Sequence, residues 1–166
     1  PIEKLLERAE ESSADLIGIT ESPQHRYHLQ SYFIYCKPTL ASHPAFLAYW
    51  ESFIPQPNKS LIIEKNELAF TEYFSNLGFK PYALISYDLL FELALKGSYS
   101  ATNMLQKGIH VNPTHYFGDL LLTRFDFPFV KIELLRDNPS KINNLESLKY
   151  ILKTKNDAYY RLVIDH

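Results

Sequence analysis

Ile2, Leu5, Leu6 and Ala9 recur at three- and four-residue intervals with Glu and Lys between them. That spacing predicts a first helix, with Pro1 suited to its first turn. ADLIGIT (14–20) is short and apolar and reads as a buried strand, while the polar, proline-containing ESPQHR behind it reads as a loop. LQSYFIYCK (29–37) reads as a second strand whose distal half is apolar on both faces. Ser42 offers an N-cap with Pro44 in the first turn, and Phe46, Leu47, Trp50 and Phe53 make one helical stripe. After the loop IPQPNKS, a helical pattern runs from about Leu61 to Leu77 and stops at Gly78, a natural left-handed terminus. KPYALIS reads as a further short strand.

In the second half, DLLFELAL is helical in pattern, but the turn-rich KGSYSATNMLQKG supports no definite form. Asn112-Pro113 looks like an N-cap and first-turn proline opening a helix to roughly Arg124, which FDFP breaks. FVKIELLRDNP alternates apolar and charged residues up to Pro139, and Leu145 to Ile164 is helical again. Strand and helix alternate early and helices dominate late, so the expected fold is a layered α/β domain with short central strands and a helix-rich C-terminal half. A length of 166 residues suits a single domain over 1–166, with an α/β part at 1–87 and a mainly helical part at 88–166.

Composition narrows the function classes. Hydrophobic residues make up 46%, charged residues 22% and aromatic residues 14%, a globular balance rich in aromatics. A net charge of -2 gives no global basic field, which argues against nucleic acid as a partner. No run approaches a membrane span, and the N-terminus is amphipathic and acidic, unlike a secretory signal. The single cysteine, Cys36, excludes an internal disulfide and a thiolate metal cage, and suits a reducing cytoplasm. A helix pattern that begins almost at Pro1, with no initiator Met, is what a chain cut from a longer protein would show.

Glu67 is the most informative single residue. It falls four after Ile63 and three before Phe70, inside the inward stripe completed by Phe74 and Leu77. A carboxylate on such a face is paired, shifted in pKa, or placed at the mouth of a cavity, and the last two describe a general base. The plainer alternative is a Glu near a helix start stabilised by the dipole, with Asn66 as cap. His28, Gln30 and Tyr32 alternate on the predicted second strand and would share a face that can read sugar hydroxyls, or simply form an exposed sheet edge. His25 and His28 have a spacing seen among metal ligands, but no carboxylate or thiolate set completes a shell, so no metal site is assigned. His110 and Asn112 flank one residue, and capping accounts for Asn112 without function. Lys131 and Arg136 could neutralise a diphosphate, or form a solvated charged face with Glu133. No GxxxxGK, GxGxxG or GxSxG motif is present.

ADLIGIT followed by HLQSYFIYCKPTLASHPAFLAYW resembles the stretch of rhamnan synthesis protein F relatives in which a strand ending Gly-x-Thr precedes His-Leu-Gln-Ser-Tyr-Phe. Further similar segments follow in order: IIEKNELAFTEYFSNLGFKPYALI, HVNPTHYFGDLLL, FPFVKIELLRDNP and a tail ending YYRLVIDH. The resemblance implies transfer of a sugar, often rhamnose, from a nucleotide-diphosphate sugar to a glycan acceptor in surface polysaccharide or lipopolysaccharide synthesis. It implies a partial GT-A-like scaffold. The residues expected to contact substrate are Thr20, His28, Gln30, Ser31, Tyr32 and Asn112, and those expected to contact a diphosphate are Lys131 and Arg136.

NELAFTEYFSNLGF is similar to the acidic-residue, helix, Gly-aromatic pattern of inverting enzymes on that scaffold, and Glu67 occupies the place of the base, eleven residues before Gly78. In the family an acidic donor and metal motif precedes a Gly-Pro, and this chain begins at the position of that Pro. An acceptor-side portion of a longer enzyme is therefore expected, inactive alone. A divalent cation, Mg or Mn, would belong to the parent, and no ligands for one are evident in this chain. The family points to the cytoplasm, with peripheral contact at the inner membrane face through the parent. The alternative is a non-catalytic glycan-binding or scaffold module, which the aromatic content would suit.

Overall fold

The structure, a computed structural model, describes residues 2–97 and 101–164. Pro1, expected in the first turn, lies outside them. Contacts divide the chain into two compact units, one covering Ile2–Ser86 and the other beginning at Tyr87.

The first unit is α/β. Helix α1 (Ile2–Glu11) leads into β1 (Leu16–Ser22), followed by β2 (His28–Leu29) and β3 (Ile34–Cys36). Helices α2 (Pro38–Ala41), α3 (Pro44–Glu51) and α4 (Lys59–Ile62) come next, then a π-helical segment (Ile63–Leu68), α5 (Ala69–Asn76) and β4 (Pro81–Ile85). β1 pairs antiparallel with β2 and β3 and parallel with β4, with Ile17 opposite both Tyr35 and Tyr82. Leu16, Ile17 and Ile19 are wholly buried, as a two-faced apolar run in a paired central strand requires. Asp15 ties the neighbouring strand ends together: its Oδ2 accepts the Lys80 N–H at 2.9 Å, and its backbone carbonyl accepts the Lys37 N–H at 2.9 Å.

Leu16, Leu29, Leu40, Phe70, Phe74 and Ala83 form the core of this unit. An aromatic cluster lies against it, with Phe70 and Phe74 ring centroids 4.9 Å apart and Tyr49 5.3 Å from Phe70, both edge-on. Each such pair contributes about 0.5–1.5 kcal/mol beyond area burial.

Three local expectations need correction. The strand expected over 29–37 is two short strands separated by Gln30–Phe33. Thr20 accepts the Gln30 N–H through its carbonyl at 3.0 Å, and Gly18 lies opposite Ile34. β1 therefore spends one residue, Ile19, where the returning chain spends Ser31, Tyr32 and Phe33, which bulge from the ladder. Tyr32 consequently lies in the bulge, off the strand that carries His28, while Gln30 continues the register of β2 opposite Thr20. Second, the cap of α3 is His43, whose Nδ1 accepts the Ala45 N–H at 3.2 Å. Ser42 instead donates its hydroxyl to the Pro38 carbonyl at 2.6 Å, closing the preceding turn. Third, the helix expected over 61–77 starts earlier, with Asn58 Oδ1 accepting the Leu61 N–H at 3.0 Å, and is π-helical in its middle. Its buried residues are Leu68, Phe70, Thr71 and Phe74, whereas Leu77 is exposed. Gly78 does end it, at φ 92°.

The second unit is helical among its described residues: α6 (Tyr87–Leu95), α7 (Thr102–Gln106), α8 (Pro113–Tyr116), α9 (Gly118–Arg124), α10 (Ile132–Asp137), α11 (Leu145–Lys155) and α12 (Asp157–Ile164). The helix expected from Pro113 to Arg124 breaks at Phe117, and the C-terminal one breaks at Asn156. Its core contains Leu122, Leu134, Leu135, Ile142, Leu148 and Leu152. The chain as a whole is mixed α/β with a small sheet and many helices. Among the described residues no helix is long and apolar enough to cross a membrane.

Candidate functional site

The bulge after β2 gathers most of the predicted polar residues of the first unit. Thr20, wholly buried on β1, donates its hydroxyl to Gln30 Oε1 at 2.8 Å, and its Oγ1 also meets the Tyr32 hydroxyl. A threonine hydroxyl has one proton, so with that proton on Gln30 the Tyr32 O–H is the donor to Thr20. Gln30 is 3% exposed. Tyr32 as a whole residue is 37% exposed, but its hydroxyl end is inside, bonded to Thr20, and burial pushes the phenol well above the usual tyrosine range. His28 is buried, with Nδ1 2.9 Å from the Arg26 carbonyl, and the Leu29 N–H next to it donates to Thr71 Oγ1 at 3.0 Å. Thr20, Gln30 and Tyr32 thus form one hydrogen-bonded group, and His28 is committed to its own turn.

Glu67 lies in the π-helical segment and is half-buried, and its Oε1 accepts the Ser31 N–H at 3.2 Å. A π-helical turn within an α-helix recurs at functional sites because it re-aims side chains relative to the flanking helix. Here Asn66 and Glu67, adjacent in sequence, both line one cleft of about 560 Å³. Its other walls come from the bulge (Ser31, Tyr32, Phe33), from β3 (Ile34, Cys36), and from α3 and the residues after it (Phe46, Tyr49, Trp50, Phe53). The lining is mostly apolar, and Glu67 is the carboxylate among its residues. Burial pushes the Cys36 thiol up to about 11 and raises Tyr49, whose hydroxyl donates to the Asn66 carbonyl at 3.3 Å. A carboxylate beside an apolar recess can take a proton from a hydroxyl placed there, which is the geometry a general base needs.

The remaining predicted residues belong to the second unit. Asn112 caps α8, its Oδ1 accepting the Thr114 N–H at 3.1 Å and the Thr114 hydroxyl at 2.8 Å. Lys131 is the N-cap residue of α10 and is half-buried, and Arg136 is exposed in the last turn of that helix. Among the described residues no three His, Cys, Asp or Glu side chains gather as metal ligands would, and His25 is exposed at φ 67°.

Sequence reasoning missed the cleft walls. Trp50 and Phe53 entered only as members of a helical stripe, and they are 48% and 44% exposed, while Asn66 entered only as a cap. Three aromatic residues within IPQPNKS-adjacent α3, next to a proline-rich loop too short of partners to bury them, were the available signal.

The profile of the family described as rhamnan synthesis protein F matches residues 2–166. Virulence protein VirA of Vibrio anguillarum strain ATCC 68554 / 775 is 34% identical over 144 residues, covering 78% of this chain and 47% of that protein. A second sequence of the same name from Vibrio anguillarum gives the same figures. The chain therefore spans about half the length of the curated relatives it matches. No solved structure matches. With the family profile extending over residues 2–166, the chain belongs to the rhamnan synthesis protein F family.

Proposed function

We propose that this chain is the acceptor-side portion of an inverting glycosyltransferase of polysaccharide synthesis, on a partial GT-A-like scaffold, with Glu67 as its base. The observation that carries the reading is Glu67 itself: half-buried, set in a π-helical turn, bonded to the Ser31 N–H at 3.2 Å, and lining an aromatic cleft. In the reaction, an acceptor hydroxyl oxygen attacks the anomeric carbon of the donor. The bond from that carbon to the diphosphate oxygen breaks, the diphosphate leaves with the electron pair, and the hydroxyl proton passes to Glu67. One carboxylate on the face opposite the leaving group suffices for inversion. The family's rhamnan synthesis role supports sugar transfer as the chemistry. Every residue used lies in the first unit.

The test is Glu67→Gln in the longest protein that contains this chain, assayed for sugar transfer. Loss of a general base lowers turnover by about 10²–10⁴-fold. Turnover near that of the unaltered protein removes Glu67 from the mechanism.

A second reading, a non-catalytic glycan-binding or scaffold module, draws on the exposed Trp50 and Phe53. It expects saccharide binding that needs no nucleotide and no turnover in any longer protein, so a transfer assay separates the two.

A further inference from the structure

Asn66 precedes Glu67 in the π-helical segment and lines the same cleft. Its backbone carbonyl is occupied by the Tyr49 hydroxyl, but its side-chain Nδ2 is buried and has no hydrogen-bond partner. Buried polar groups are nearly always paired, and an unpaired buried donor lowers stability. The amide thus keeps an unspent donor beside the cleft, and a turn of the side chain toward the cavity would bring Nδ2 to a ligand oxygen.

The same cleft carries exposed aromatic side chains. Trp50 and Phe53 are about half exposed, with ring centroids 6.4 Å apart and planes inclined by 31°. Trp50 is held by Tyr49, edge-on at 5.5 Å, and by Phe70 at 5.7 Å. A ligand for this lining must present a flat C–H face to the rings, an oxygen acceptor to Asn66 and a hydroxyl donor to Glu67. An acyl chain offers only the first. A pyranose ring offers all three, and a cleft of about 560 Å³ is of the size that holds small ligands.

We infer that Asn66 is an acceptor-positioning residue, donating from Nδ2 to a hydroxyl or ring oxygen of a pyranose that stacks on Trp50 and Phe53 and turns a hydroxyl toward Glu67. The inference rests on the glycan-acceptor reading above, and assigns a contact that the Glu67 test does not reach. Trp50 is the only tryptophan in the sequence, so its fluorescence reports on the cleft alone.

The experiment titrates methyl α-L-rhamnopyranoside and methyl α-D-glucopyranoside into the full 166-residue chain and follows Trp50 emission. A saturable change with at least one probe is expected. Asn66→Ala and the near-isosteric Asn66→Asp, which has no N–H to donate, should weaken that affinity by about threefold to tenfold. A merely structural asparagine would lower the melting temperature when replaced, whereas Asn66→Ala should melt no lower than the unaltered chain, because it deletes a donor that had no partner. No saturable response in the unaltered chain, or equal affinity in both variants, overturns the inference. Retained turnover in Glu67→Gln would instead sink the base and leave the binding result standing.

Discussion

The Ser31 N–H donates to Glu67 Oε1 across 3.2 Å, joining the bulge after β2 to the π-helical segment before α5. Two departures from regular structure, thirty-six residues apart in sequence, are thereby fixed against each other at the cleft. The bond accepts at an oxygen, and an amide retains one. Glu67→Gln should therefore keep this tie and unfold in urea within about 0.5 kcal/mol of the unaltered chain, whereas Glu67→Ala loses it and costs about 0.5–1.5 kcal/mol. Equal losses in the two variants would mean that the charge, rather than the bond, holds the bulge.

Thr20, Gln30 and Tyr32 should behave as one energetic unit. Thr20→Val removes a hydroxyl that donates to a buried glutamine oxygen and accepts from Tyr32, and should cost about 1–3 kcal/mol. Tyr32→Phe keeps the ring and should cost about 0.5–1.5 kcal/mol. Measured by chemical denaturation, the double variant should depart from additivity by about 0.5 kcal/mol or more, as residues in one hydrogen-bond network do. Strict additivity would show that the Tyr32 hydroxyl contributes nothing through Thr20.

What the sequence disclosed and what it hid divide along physical lines. The continuous apolar run at Leu16, Ile17 and Ile19 could hardly be anything but a buried central strand, and Gly78 could be read as a stop because φ 92° suits glycine. The bulge at Ser31–Phe33 was invisible because those residues have ordinary strand propensity, and only the register against Gly18 and Thr20 exposes the extra length. The π-helical turn was hidden likewise, since Ile63, Glu67 and Phe70 fit an α-helical period as well. His43 and Ser42 can both cap a helix, and the choice fell to whichever side chain was not already used by the turn before it. For Glu67 the pattern placed a carboxylate on an inward face, paired, shifted or at the mouth of a cavity, and the structure has it half-buried in the lining of the cleft.

Asn112 should show the signature of a helix cap. Its Oδ1 accepts from both the N–H and the hydroxyl of Thr114 at the start of α8. Asn112→Ala should lower unfolding free energy by about 0.5–2 kcal/mol, while Asn112→Asp, which keeps the acceptor, should stay close to the unaltered chain. If Asn112→Ala leaves the denaturation midpoint where it was, the cap is not what holds Asn112 in place, and a ligand contact becomes the stronger account of it.

Cys36 gives the cleft a chemical clock. It lines the cavity, and burial pushes its thiol up to about 11 from an ordinary 9.0 by disfavouring the thiolate. Since only the thiolate attacks iodoacetamide, alkylation at pH 8 should run about a hundredfold slower than that of free cysteine. The rate should climb steadily as pH rises toward 11, where free cysteine has already levelled off. The sign for stability follows from the same shift: the folded chain holds the proton more tightly than the unfolded one, so the contribution is fully present below pH 9.0 and is lost between there and about 11. Mass spectrometry of the alkylated chain across this range provides the check. A rate that is half-maximal near pH 9 and levels off above about pH 10, as that of free cysteine does, would place Cys36 in water rather than in the wall of the cleft.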